Sequence, residues 1–131
     1  MTNQEAFNKV YETFLVKRAP KSMAWLDGRY QCSYGEPGTP GCAVACLLTD
    51  EERIQAWDFE RTYYAMPSYL RGNGTGVCEL LGNTTITSLD NLSTDVLVSL
   101  QGWHDNLYGT PDERKELENI ASFYGLVFPS A

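Results

Sequence analysis

Hydrophobic residues near the start of the chain recur every three or four positions, which is the period of one buried helix face. They are Phe7, Val10, Tyr11, Phe14 and Leu15. Thr2 followed three positions later by Glu5 forms a capping box, so the helix is expected to begin at about Asn3. Pro20 ends it, because proline lacks the N–H donor that a helix needs. This stripe is predicted to face the core.

A second helix is predicted in the middle of the chain. Thr49 with Glu52 repeats the capping-box pattern, and the acidic residues 50–52 suit the positive end of the helix dipole. The helix is expected to run through Trp57 to about Glu60. The acidic run also resembles a metal-binding cluster. Consecutive helical residues point in different directions, however, which favours the dipole explanation.

The last third of the chain contains two more stripes of helical spacing. The first runs from about residue 89 to 107, with Asp90 or Ser93 as its cap. The second is predicted to start at residues 110–113, T-P-D-E, which combine a cap, a first-turn proline and a capping-box glutamate. The short connection between them favours an antiparallel helix pair.

Strand-like alternation occurs where Tyr30, Cys32 and Tyr34 alternate with polar residues. A turn rich in glycine and proline follows at 36–41. The apolar run 42–48 comes next, and its alanines favour a helix over a buried strand. The whole chain, 1–131, is thus predicted to be a single domain, mainly α with about four helices, and with a short β-hairpin or strand near residues 29–42. An α+β fold is the alternative.

Three segments have a weaker pattern. Residues 22–28 contain Trp25, which is expected to be a packing residue, and end in a turn signal. Residues 71–76, R-G-N-G-T-G, are expected to form a flexible loop, because their spacing does not match a phosphate-binding loop. Residues 77–81 form a short apolar segment.

Charge and composition narrow the function classes. The chain is 43% hydrophobic and carries a net charge of −7, which fits a globular protein and disfavours direct binding of nucleic acid. Mimicry of nucleic acid at a basic site on a partner is the sharper interpretation of this charge; solubility is the plainer one. No apolar run is long enough to span a membrane, and the polar start is unlike a signal peptide. A cytoplasmic protein with reduced cysteines is therefore expected.

The single histidine, His104, has three interpretations. It lies on the apolar face of its helix and is expected there as a core-edge histidine satisfied by a hydrogen bond. Alternatively it joins Cys32, Cys42 and Cys46 in a tetrahedral zinc site, although the cysteine spacing is not a standard one. Without zinc, the cysteines are small buried apolar residues and no cofactor is expected.

The third interpretation is a cysteine-dependent hydrolase or transferase. Cys42 would begin a helix, where the dipole lowers the pKa of a thiol, and His104 would be its base. Asp105 or Asn106 would orient the histidine. Neighbouring residues on a helix point about 100° apart, so Asp105 is expected to be poorly placed for this role. The chain is more readily interpreted as a non-catalytic protein.

The segment 32–51 resembles a family of small, largely uncharacterised proteins of tailed phages and prophages. Their hallmark is C-x-Y-R-G, a short turn, then C-A-[VI]-G-C-L-[IL] followed by acidic residues. Here the corresponding residues are Cys32, Tyr34 and Gly35, then the run C-A-V-A-C-L-L at 42–48. This chain lacks the arginine after the tyrosine and has Ala45 in place of the usual glycine.

The resemblance implies a phage-type accessory protein that neutralises a host factor in the bacterial cytoplasm. Two modes are open: inhibition of a host defence protein, or sequestration of a signalling nucleotide. Self-association of the chain is a further expectation. The candidate ligand-binding residues are Arg29, Tyr34, His104 and Asp105.

Overall fold

The computed structural model describes residues 1–65 and 76–129, so the loop expected at 71–76 lies outside the described residues apart from Gly76. The described α-helices are α1 Asn3–Tyr11, α2 Asp50–Ala65, α3 Gly76–Asn83, α4 Thr94–Asn106 and α5 Glu113–Phe123. Two antiparallel strands, β1 Met23–Leu26 and β2 Arg29–Cys32, form a hairpin. The mainly α fold with a short hairpin is therefore confirmed. In these two ranges no helix is both long and apolar enough to cross a membrane.

The capping boxes predicted at the starts of α1 and α2 are both present. The hydroxyl of Thr2 accepts from the Glu5 N–H at 3.1 Å, and the Glu5 carboxylate accepts from the Thr2 N–H at 2.8 Å. Thr49 and Glu52 make the same reciprocal pair at 3.2 and 3.0 Å. These bonds satisfy N–H groups that have no partner within the helix.

The predicted strand is β2, and its partner precedes it in the chain. Met23 pairs with Cys32 and Leu26 with Arg29 in the antiparallel register. Asp27 and Gly28 form the two-residue turn, both with positive φ, which suits the twist of a tight hairpin. The expectation for Trp25 was wrong: its side chain is 73% exposed and lies beside the ring of Tyr30. Trp25 and Tyr30 are paired across the two strands, and both side chains lie on the face of the hairpin that is exposed to solvent.

The cysteine segment after the Gly/Pro turn contains one helical turn and no full helix. The Cys46 N–H donates to the Cys42 carbonyl at 2.9 Å, and a 3₁₀ helix, Ala45–Leu47, completes the turn. Cys42, Ala43, Val44 and Ala45 have no exposed surface. Their small side chains let this segment lie close to α1 and α4.

The core is built around Phe14, Trp103 and their neighbours. A π-helical turn, Glu12–Val16, follows α1 and carries Phe14, whose ring contacts those of Trp103, His104 and Tyr108. The Tyr108 hydroxyl donates to the Ala19 carbonyl, so the segment after the π-helical turn is also fixed to this cluster. α4 thus presents one face to the core and leaves another for the cleft described below.

α5 begins within the predicted residues 110–113, but the predicted threonine cap is not formed. The helix begins at Glu113, because the Thr110 hydroxyl donates to the Leu107 carbonyl at the end of α4 and is not used as a cap. The Glu113 carboxylate accepts from the Gly109 N–H at 2.8 Å, and its carbonyl accepts from the Trp103 indole N–H at 2.8 Å. The connection therefore joins α4 to α5 through several hydrogen bonds rather than through a capping box.

Candidate functional site

A cavity of about 270 Å³ lies between α2, α3, α4 and the end of the hairpin, and we call it the acidic cleft. Its carboxylates are Glu60 from α2, Glu79 from α3 and Asp105 from α4. No lysine, arginine or histidine is among the described residues that line it. Its aromatic walls are Tyr34, Phe59, Tyr63 and Tyr64. The arrangement combines apolar surface with negative charge.

Glu60 holds the chain after β2 in place at one end of the cleft. Its carboxylate accepts from the Ser33 hydroxyl at 2.5 Å and from the Tyr34 N–H at 3.1 Å. Burial raises the pKa of Glu60, and the hydrogen bonds from Ser33 and Tyr34 oppose that shift. Glu60 thereby fixes Tyr34, whose side chain is 6% exposed and forms part of the wall.

Asp105 lies at the other side of the cleft and is fixed by two neighbours on α4. Its Oδ1 accepts from the Gln101 amide at 2.8 Å and from His104 Nδ1 at 2.8 Å. The expectation that Asp105 is poorly placed to orient His104 was wrong. The His104 ring nitrogen and the Asp105 carboxylate oxygen meet at hydrogen-bond distance, although the two side chains leave the helix in different directions.

His104 is neutral, and its tautomer follows from its partners. The Ser22 backbone N–H donates to Nε2 at 3.1 Å, so Nε2 carries a lone pair and no proton. Nδ1 therefore holds the proton and donates it to Asp105. The ring has no exposed surface. This is the hydrogen-bonded core histidine that one of the three interpretations predicts, and its imidazole brings no positive charge to Asp105.

Gly102 forms part of the cleft wall in the middle of α4. A Cβ atom added there would meet no atom within 4 Å. Glycine inside a helix costs about 1 kcal/mol relative to alanine. The missing side chain leaves open space in the cleft, and the isolated glycine in a helical pattern was the sequence signal for it.

The thiols do not form a nucleophilic site. Cys42 is fully buried, which raises the pKa of its thiol, and its sulfur accepts from the Ala45 N–H at 3.4 Å. Burial also raises the pKa of Cys32 and of Cys46 to about 11 each. The lowered pKa expected for Cys42 was wrong, since desolvation outweighs any helix-terminal effect. His104 Nε2 is already engaged by Ser22 and is not available as a base.

The possible zinc ligands in the structure differ from those predicted from the sequence. Among the described residues, the cluster that could hold a metal is Cys32, His104 and Asp105, whose donor atoms lie within 4.8 Å of one another. Cys42 and Cys46 are not in it; the Cys46 thiol donates to the Ala43 carbonyl. Sulfur, imidazole and carboxylate donors are compatible with zinc. Binding would require Cys32 to lose a proton held with a pKa of about 11 and His104 to give up one of its two hydrogen bonds.

The structure brings some predicted ligand-binding residues together and separates one. Tyr34 and Asp105 line the acidic cleft, and His104 lies behind it against Asp105. Arg29 is exposed at the hairpin and lies outside the cleft. Glu60 and Gly102 were not predicted as site residues from the sequence. Glu60 is expected from the sequence only as the approximate end of a helix, because its bonds to Ser33 and Tyr34 depend on the tertiary fold.

A second cavity, of about 540 Å³, is basic, and we call it the basic groove. Lys9, Lys17, Arg18 and Arg53 line it together with Asp50. Lys17 pairs with Glu12 at 3.6 Å and Arg18 with Glu113 at 2.7 Å.

Arg53 is 7% exposed and supports the Gly/Pro turn. Its guanidinium donates to the carbonyls of Thr39 at 2.8 Å and Glu36 at 3.1 Å. A Cβ atom at Gly41 would lie 2.9 Å from the Arg53 guanidinium carbon, and Gly41 has a φ of +76°, so only glycine fits there. Arg53 is thus part of the turn's structure.

Comparison with protein-family models, with curated proteins and with solved structures gave no match for this chain. The resemblance of segment 32–51 to phage proteins therefore stays a prediction.

Proposed function

We propose that the protein is a non-catalytic binding protein whose acidic cleft receives part of a partner. The observation that carries this proposal is the open cavity walled by Tyr34 and Asp105, in which the Asp105 carboxylate has no cationic partner among the described residues. Such a combination of apolar wall and unpaired charge is typical of a recognition site. With the resemblance of the cysteine segment, the proposal becomes a phage-type accessory protein that neutralises a host factor.

The chemistry of the thiols supports binding over catalysis. Nucleophilic catalysis by cysteine needs a thiolate and a base within reach. Cys42 has no exposed surface, and both ring nitrogens of His104 are engaged. A cysteine-dependent reaction would need both groups to be rearranged first.

The charge of the cleft favours a host protein over a signalling nucleotide as the partner. Phosphate groups are usually bound by arginine, lysine or backbone N–H groups at a helix start. The described lining of the cleft provides carboxylates, and no arginine or lysine. We propose that a side chain of a host protein occupies this cavity.

The experiment that tests the cleft uses two glycines in helices. Gly102→Leu fills the cleft, whereas Gly82→Leu adds the same side chain to α3 outside it; a Cβ atom at either site meets nothing within 4 Å. Each protein is expressed in bacteria, purified and examined by native mass spectrometry. A partner or ligand mass that is present in the wild type and in Gly82→Leu, but lost in Gly102→Leu, is the expected result. Equal retention by all three proteins would contradict binding in the cleft.

Thiol alkylation tests the enzymatic alternative. Because burial raises the pKa of the Cys42 thiol, iodoacetamide at neutral pH should not single out Cys42. Rapid and selective modification of Cys42, read by peptide mass spectrometry, would favour the hydrolase or transferase interpretation instead. Cys78 is exposed and serves as the reference thiol.

A further inference from the structure

We propose that the acidic cleft recognises an organic cation, such as the ammonium or guanidinium group of a side chain or of a small amine. This inference rests on the proposed binding function and adds the chemical class of the bound group. It follows from three features of the cleft: the state of Asp105, the aromatic walls and the volume.

The hydrogen bonds of Asp105 leave its negative charge accessible to a cation in the cleft. Its Oδ1 accepts from two neutral groups, the Gln101 amide and the neutral imidazole of His104. Within the ranges that the structure describes, Oδ2 accepts no hydrogen bond from the protein. The side chain is 34% exposed, and it faces the cleft. The positive charge of an organic cation can pair with Oδ2 without disturbing either existing bond.

Aromatic rings supply the second feature. Phe59 and Tyr63 lie with their ring centres 5.7 Å apart, and Tyr63 and Tyr64 lie 5.5 Å apart, so the rings form a continuous wall. Tyr34 forms a further part of the lining. The negative face of an aromatic ring attracts a cation, and cages of several rings are used to bind alkylated ammonium groups. A bare anion would meet repulsion from both the rings and the carboxylates.

The volume distinguishes an organic cation from a metal ion. The cleft volume of about 270 Å³ is close to the lower end of the range of small-molecule pockets, about 300–1,000 Å³. Hard metal ions such as Ca²⁺ need six or more oxygen ligands close together. The carboxylate oxygens of Glu60 already accept from Ser33 and Tyr34, so the described lining residues offer few unengaged oxygens to such an ion. A cation with an apolar body fits both the space and the walls.

The test is a titration of the ¹⁵N-labelled full chain followed by NMR. The probes are tetramethylammonium chloride and neopentyl alcohol, which have similar shapes but differ in charge, and sodium phosphate serves as the anion. We expect the amide resonances of Gly102 and Gly76 to shift saturably with tetramethylammonium and not with the alcohol or phosphate. Equal binding of the neutral alcohol, or no saturable shift with tetramethylammonium, would overturn the proposal.

Two charge variants on α4 locate the effect. Asp105→Asn keeps an acceptor for His104 and Gln101 but removes the charge, and it should weaken tetramethylammonium binding by at least about tenfold. Asp95→Asn removes the same charge from the exposed start of α4 and should leave the affinity unchanged. If Asp105→Asn does not fold, Glu79→Gln tests the same charge effect from α3. Unchanged affinity in the cleft variants would overturn the assignment.

The two proposals fail differently. If Gly102→Leu abolishes a native partner but tetramethylammonium does not bind the wild type, the binding function stands and the cation assignment is wrong. If tetramethylammonium binds and no partner depends on Gly102, the cleft recognises cations but the host-factor proposal is wrong.

Discussion

The acidic cleft and the basic groove are both charged cavities, but they differ in what their charges already do. In the basic groove, Lys17 and Arg18 face glutamates, and Arg53 donates to backbone carbonyls. In the acidic cleft, Asp105 accepts only from neutral groups. The basic groove is larger, at about 540 Å³ against about 270 Å³. Size and number of charges therefore do not separate the two cavities. They differ in that the Arg53 guanidinium is bound to the backbone of the Gly/Pro turn, whereas Asp105 faces an open cleft and accepts only from two side chains of its own helix.

The largest effect we expect is on stability, from the basic groove. Arg53→Ala leaves the carbonyls of Glu36 and Thr39 without their donors, and it should lower the free energy of unfolding by about 3 kcal/mol. Urea denaturation measures this. The control is Arg61→Ala, an exposed residue of the same helix that lies over Trp57, with an expected loss of no more than about 1 kcal/mol. Equal stability of Arg53→Ala and the control would mean that these hydrogen bonds do not stabilise the Gly/Pro turn. The proposed difference between the two cavities would then be wrong.

The next effect is the pH dependence of cation binding in the acidic cleft. Burial raises the pKa of Glu60, and Asp105 from α4 adds to that shift. The carboxyl therefore gains its charge as the pH rises through this raised pKa. The affinity for tetramethylammonium should increase over the same rise in pH, by about fivefold, since a neighbouring charge contributes about 1 kcal/mol.

Calorimetry at constant ionic strength measures this dependence. Glu60→Gln should flatten it, because the amide has no charge to gain. An affinity that falls as the pH rises would show that the negative charge of Glu60 does not act on the cleft.

Replacing the glycine of α4 separates stability from binding. Gly102→Ala should stabilise the protein by about 0.5–1 kcal/mol, because alanine favours the helix more than glycine does. Gly82→Ala in α3 should give a similar gain, since neither added Cβ meets an atom within 4 Å. Thermal denaturation compares the two variants. Only Gly102→Ala should weaken tetramethylammonium binding; equal binding by both variants would mean that Gly102 is not part of the binding surface.

The smallest effect concerns anions in the basic groove. ATP should give no saturable heat in calorimetric titration, and Lys9→Ala should change the free energy of unfolding by no more than about 0.5 kcal/mol, as exposed lysines usually do. Saturable ATP binding that Lys9→Ala abolishes would restore the nucleotide-sequestration hypothesis and place its site in the groove.

The helices α1, α2 and α4 were predictable because their signals are local, whereas α3 was not predicted, because residues 77–81 were identified only as a short apolar segment. The capping boxes at Thr2 and Thr49 and the apolar stripe of α4 depend only on residues within a few turns of one another. The strand β1 was not predicted, because four residues with no polar alternation carry little information without their partner β2. The cap predicted for α5 was wrong because the Thr110 hydroxyl donates to the end of α4.

The site was predictable only in part. Tyr34 and Asp105 were chosen from the sequence and do line one cavity. The sequence could not show that His104 Nε2 is unavailable to Cys42. The backbone N–H that donates to this nitrogen belongs to Ser22, which is 82 residues away in the chain. Glu60 and Gly102 gain their roles from contacts between α2, the hairpin and α4. Local sequence patterns do not contain such contacts.

The attachment of the C-terminal tail to α1 has a consequence for synthesis of the chain. The Gln4 side chain exchanges two hydrogen bonds of 2.8 Å with Val127, across a separation of 123 residues, and the Phe128 ring packs against Phe7 and Tyr11. α1 is synthesised well before Val127 and Phe128, which cover part of its apolar face. Until these residues emerge, that part of the face is open to chaperones and to other nascent chains.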